Sequence, residues 1–117
     1  MSLAQMLGLA QRPSTSAEDF SGTVIYRSED GTTDFSFRIA RHGDRYRIYI
    51  LDQPLYHGRA DDLHSTHRYH SPTSGHYICW DGRLESLDDI LYVASEWAER
   101  TLRYVRHGTP FDNRRTR

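Results

Sequence analysis

The chain of 117 residues has the length of a single domain, because two cores would each fall near the lower limit for independent folding. Hydrophobic residues make up 37% of the sequence and charged residues 26%, which is enough apolar surface for a core and excludes wholesale disorder. Fifteen basic and sixteen acidic side chains give a net charge of -1, so the strongly basic composition of a general nucleic-acid coat is absent, and we do not expect nucleic acid as a partner.

A short helix is the first predicted element. In residues 1–19, apolar side chains recur at helical spacing until Pro13, and a polar linker follows. Three segments with a two-residue period come next, with one face formed by Val24 and Tyr26, by Phe35, Phe37 and Ile39, and by Tyr46, Ile48 and Ile50. The Asp-Gly and Gly-Asp pairs between these segments are typical of hairpin turns. Together with a last strand that includes or adjoins residues 77–80, they predict a four-stranded antiparallel meander within residues 20–81.

A long amphipathic pattern over residues 86–107 predicts the second helix. Ser86 followed by Asp89 resembles a capping box at its start, and Gly108 with Pro110 marks its end, before a tail over residues 108–117. Apolar residues at three- and four-residue steps, Trp97 among them, form a stripe that can cover one face of the sheet. The fold class that follows is α+β in one domain of residues 1–117, with a short N-terminal helix, a four-stranded β-meander, and a long C-terminal helix packed on one face.

The opposite face of the strands is rich in arginine. A solvated sheet surface explains this pattern, and contact with single-stranded nucleic acid through an arginine and aromatic mixture is a weaker alternative. The residues concerned are Arg27, Arg38, Arg45, Arg47 and Tyr49.

Residues 52–83 contain five of the seven histidines and the only cysteine, Cys79. His64, His67 and His70 are three residues apart, so they share no single ligand face on a strand or a helix, and we predict neither a metal site nor a cofactor. Cys79 is either a small buried hydrophobic residue or a nucleophile assisted by neighbouring imidazoles such as His70 or His76. A lone cysteine excludes an internal disulfide.

The segment over residues 65–81, STHRYHSPTSGHYICWD, resembles the active-site stretch of ubiquitin-conjugating enzymes. In that family, a strand ending in an aromatic residue and a His-Pro-Asn motif is followed by a glycine turn and an Ile/Val-Cys-Leu-Asp segment. Tyr69 and His70 match the aromatic-histidine pair, Gly75 the turn, and the run Ile78, Cys79, Trp80 and Asp81 the nucleophile segment. The motif asparagine has no counterpart, because Ser71 follows His70 here.

The resemblance implies a reduced or divergent bacterial-type domain that binds or carries a ubiquitin-like partner, received from an activating enzyme, as a thioester on Cys79. It also implies that His70 and His76 assist the thiol and that Tyr69, Trp80 and Asp81 contribute to binding. The alternative is a non-enzymatic protein-interaction module without thiol chemistry. No apolar run reaches the length of about 18 residues needed to span a membrane, and the first residues lack the charge and cleavage site of a secretion signal, so we expect a cytoplasmic protein without membrane contact.

Overall fold

The computed structural model describes residues 22–80, 82 and 84–111. Within these ranges the chain forms five strands and two helices. The predicted leading helix and Asp81 lie outside the described residues. The elements are β1 (Gly22–Arg27), β2 (Asp34–His42), β3 (Arg45–Asp52), α1 (Leu63–Thr66), β4 (Arg68–Ser71), β5 (Gly75–Ile78) and α2 (Leu87–His107).

All five strands belong to one antiparallel sheet with the order β1-β2-β3-β5-β4. The α+β class and the long C-terminal helix are confirmed. The predicted order of the meander is confirmed, because the strand expected near residues 77–80 is β5 and pairs with β3, whereas the predicted number of four strands is wrong, because β4 is added at the edge beyond β5. β4 has only four residues, of sequence RYHS, and carries no apolar alternation from which a strand could be predicted.

Helix α2 covers one face of the sheet, which we call the inner face. Its start is fixed by the Ser86 hydroxyl, which accepts the Asp89 backbone N–H at 3.1 Å, and its end by Gly108, which adopts a left-handed conformation with φ +73°. Trp97 lies at the centre of the core, 1% exposed, with its ring edge-on to Phe35 and Phe37. The inner face therefore holds the hydrophobic core, and the outer face is the side of the sheet opposite α2.

The segment between β3 and β5 is anchored to this core at Thr66, the last residue of α1. Thr66 is completely buried, and its carbonyl oxygen accepts a hydrogen bond from Trp97 Nε1 at 3.1 Å. The largely buried Arg68 donates to the Thr66 hydroxyl, to Gln53 Oε1 and to the carbonyl of Asp61. These hydrogen bonds compensate the burial of a guanidinium and fix the start of β4, which carries the residues of interest.

Candidate functional site

A row of side chains crosses all five strands at one level of the outer face. The strand registers pair Thr23 with Arg38, Arg38 with Tyr49, Tyr49 with Tyr77, and Tyr77 with Tyr69. Side chains at directly paired positions point to the same side of a sheet. We call the last four residues, Arg38, Tyr49, Tyr77 and Tyr69, the cross-strand row.

Aromatic and cation–π contacts connect the members of this row. The ring centres of Tyr49 and Tyr77 are 5.7 Å apart, and those of Tyr77 and Tyr69 are 5.5 Å apart. The guanidinium carbon of Arg38 lies 4.4 Å from the centre of the Tyr49 ring, and that of Arg47 lies 4.1 Å from the centre of the Tyr77 ring. Tyr49 is consequently only 7% exposed, whereas Tyr69 at the sheet edge is 48% exposed. The outer face is a packed layer of rings and guanidinium groups at this level.

Cys79 continues the β4–β5 ladder one residue beyond β5. Its backbone N–H donates to the carbonyl oxygen of His67 at 2.9 Å. Because side chains alternate along an extended segment, Cys79 lies on the same face as Tyr77, and an extension of the β3–β5 register by two residues brings it level with Arg47. Its side chain is half-buried, and within the described residues its thiol makes no hydrogen bond.

His70 and His76 form a pair of their own. They are directly opposite in the β4–β5 register, and their ring centres are 5.0 Å apart. Their neighbours Tyr69 and Tyr77 point to the outer face, so alternation directs both imidazoles to the other side of the sheet. Partial burial lowers the pKa of His76, and the nearby Arg68 and His70 lower it further. The structure therefore brings the two predicted imidazoles to each other and not to Cys79.

His67 is a further histidine next to Cys79, and the sequence pattern does not indicate this pairing. Its backbone is left-handed, with φ +51°, and its ring stacks on the buried Phe111 at 4.8 Å between ring centres. The stacking turns this imidazole toward the core although its carbonyl pairs with Cys79. The sequence contains no pattern that predicts a left-handed backbone conformation at His67, between a helix and a strand. The proximity of His67 to Cys79 could therefore not be predicted.

Trp80, predicted as a binding residue, lines a groove of about 220 Å³ whose lining does not include Cys79. Arg45, Arg47 and Tyr77 line the same groove, and the Trp80 ring is edge-on to Tyr92 of α2, with ring centres 6.4 Å apart. Gly75 lies at the turn before β5 with φ +84°, a conformation that favours glycine. Because Tyr46 and Ile78 of the inner face also line the groove, it lies at the end of the sheet and is open to residues of both faces.

Among residues 22–80, 82 and 84–111, no group of three or more histidine, cysteine or acidic side chains is placed to hold a metal ion. None of the helices in the same residues is long and apolar enough to cross a membrane. Comparisons with protein-family models, with curated proteins and with solved structures find no match to this chain.

Proposed function

We propose that the chain is a small domain similar to ubiquitin-conjugating enzymes, which carries a ubiquitin-like partner as a thioester on Cys79. The observation that carries the proposal is the position of this thiol. It lies at the open end of β5, on the sheet face opposite α2, where the described residues place no helix over it. A carrier thiol has to meet the C-terminus of another protein, and this position permits that approach.

The local structure of the segment supports the same proposal. Tyr69 and His70 lie on a strand, Gly75 is at the turn that follows, and Cys79 comes directly after the next strand. This is the order in which the resemblance to ubiquitin-conjugating enzymes places its aromatic residue, glycine turn and nucleophile. Trp80 beside the groove remains a candidate contact for the partner.

The chemistry is a thioester exchange. The Cys79 thiolate attacks the carbonyl carbon of the partner's C-terminus, which arrives as a thioester on an activating enzyme. A bond forms between Cys79 Sγ and that carbon, the carbon–sulfur bond to the activating enzyme breaks, and the released thiol regains a proton equivalent to the one lost by Cys79. Within the described residues, the extended β3–β5 register brings Arg47 level with Cys79, with its guanidinium over the ring of Tyr77.

Ubiquitin carrying a synthetic C-terminal thioester is a suitable probe for this exchange. We expect the folded chain to form the adduct faster than a peptide of residues 75–80, which presents the same cysteine without the fold, and Cys79→Ser to form none. Adduct formation no faster than in the peptide, or only after denaturation with urea, would contradict the carrier function.

One observation favours the second candidate, a protein-interaction module without thiol chemistry. His70 and His76 lie on the face opposite Cys79, so neither is in place as its proton acceptor. If Cys79→Ser leaves both the stability and every partner interaction of the domain unchanged, this second function replaces the first.

A further inference from the structure

We propose that the outer face binds single-stranded nucleic acid, with phosphates on its arginines and bases on the exposed ring of Tyr69 and the partly exposed ring of Tyr77. The proposal concerns the cross-strand row together with Arg45 and Arg47. It does not depend on the thiol of Cys79.

The charge of this surface is local, and the acidic residue next to it in the chain is Asp44, in the β2–β3 turn. Arg38, Arg45 and Arg47 form no ion pair within the described residues. Arg27, at the far end of the same face, is by contrast paired with Asp34 at 2.8 Å. From the level of Arg38 toward the β2–β3 turn, the outward positions of the described strands contain no aspartate or glutamate. The near-zero net charge of the chain thus conceals a cationic half-face, which an anionic polymer complements.

The geometry of the row suits flat, aromatic groups. Four neighbouring strands, each about 4.8 Å from the next, give the row a span of about 14 Å, in which Tyr49 is buried beneath Arg38 and the β4–β5 end presents the accessible rings. The guanidinium groups of Arg38 and Arg47 are already held over tyrosine rings, so little of their conformational freedom is lost on binding. Tyr69, half exposed at the sheet edge, offers the most accessible ring.

These features favour a single strand over a duplex. The bases of a duplex are stacked on each other and present no free ring face to a tyrosine. Stacking on tyrosine together with phosphate contact is instead the pattern of proteins that bind unpaired strands without sequence preference. An acidic peptide would satisfy the arginines alone and would leave the tyrosines without a role.

Fluorescence anisotropy with labelled eight-nucleotide oligo(dT) and oligo(U) tests the proposal on the full chain. We expect a Kd of about 1 to 100 μM at physiological salt and tighter binding as the salt concentration is lowered. Three phosphate contacts give a slope of about -2 for log K against log salt, and Arg38→Gln or Arg47→Gln should each reduce its magnitude by about 0.7. Tyr69→Leu should weaken binding about 5- to 150-fold, whereas Tyr69→Phe should retain it.

Two control variants separate this proposal from the others. Arg103→Gln, on the exposed surface of α2, removes the same charge from another face and should leave affinity and slope unchanged. Cys79→Ser should bind like the original chain, so the failure of the thioester proposal leaves this one intact. Circular dichroism verifies that each variant is folded, and the exposed position of Tyr69 makes Tyr69→Leu the variant least dependent on the core.

Three results would overturn the proposal. The first is the absence of binding to either oligonucleotide at 50 mM salt. The second is equal affinity for a duplex of the same length. The third is an affinity that Tyr69→Leu leaves unchanged and that poly-glutamate competes away as well as oligo(dT), which would make the face a site for acidic peptides.

Discussion

Trp97→Ala should remove most of the stability of this domain. The ring of Trp97 is 1% exposed, lies edge-on to Phe35 and Phe37 at about 6 Å between ring centres, and donates to the buried carbonyl of Thr66. Truncation of a buried tryptophan to alanine costs about 3–5 kcal/mol through lost burial and the cavity that remains. The unpaired Thr66 carbonyl adds about 1–3 kcal/mol. A domain of this size has on the order of 5–15 kcal/mol in total.

Urea denaturation, followed by far-ultraviolet circular dichroism, measures this loss as a shift of the midpoint at constant slope. Trp97→Phe keeps most of the ring and removes the N–H, so we expect a smaller loss of about 1–3 kcal/mol. Arg103→Ala, exposed on the same helix, is the matched control and should stay within about 0.5 kcal/mol of the original chain. A loss below about 1 kcal/mol for Trp97→Ala would refute the central role given to this ring.

Two further predictions concern the pH dependence of stability and the start of α2. The pKa of His76 is lowered, mainly by partial burial, so the unfolded chain takes up a proton at a higher pH than the folded chain does. The free energy of unfolding should therefore fall as the pH drops below about 6.5. Urea titrations at several pH values measure this fall. His76→Gln should reduce it, whereas His42→Gln, on the exposed end of β2, should not. Ser86→Ala leaves the Asp89 N–H without its acceptor and should lower the urea midpoint by the equivalent of about 1 kcal/mol. Ser86→Asp should preserve the midpoint, because aspartate is also an N-cap acceptor. Equal midpoints for the two variants would contradict the capping role.

Hydrophobic periodicity was sufficient to predict β1, β2, β3 and α2. Phe35, Phe37 and Ile39 are all fully buried on the inner face, as their two-residue spacing indicates. β4 has no such pattern. It is held by the hydrogen bonds of Arg68 and by the contact of Thr66 with Trp97, 31 residues away, and contacts across such distances leave no local signature.

The residues of the candidate sites could be named from the sequence, but their arrangement could not. Tyr69, His70, His76 and Cys79 were singled out by residue type, whereas the register of β4 on β5 decides which of them share a face. His76 and Cys79 are three residues apart, an odd number, so the alternation of side chains places the imidazole and the thiol on opposite faces. The stacking of Arg47 on Tyr77 likewise depends on the adjacency of β3 and β5, which a simple meander with β4 between them would have prevented.

The junction between β3 and β5 divides the sheet into two parts, the strands β1 to β3 and the β4–β5 hairpin. β1, β2 and β3 pair along most of their length, whereas β5 joins β3 at the single register pair of Tyr49 with Tyr77. The β4–β5 hairpin is therefore held to the rest of the molecule mainly by the core packing of Ile78 and by the hydrogen bonds of Thr66 and Arg68. Since the cross-strand row spans this junction, any ligand that touches both Arg38 and Tyr69 adds a contact across it and fastens the hairpin that leads to Cys79 to the rest of the sheet.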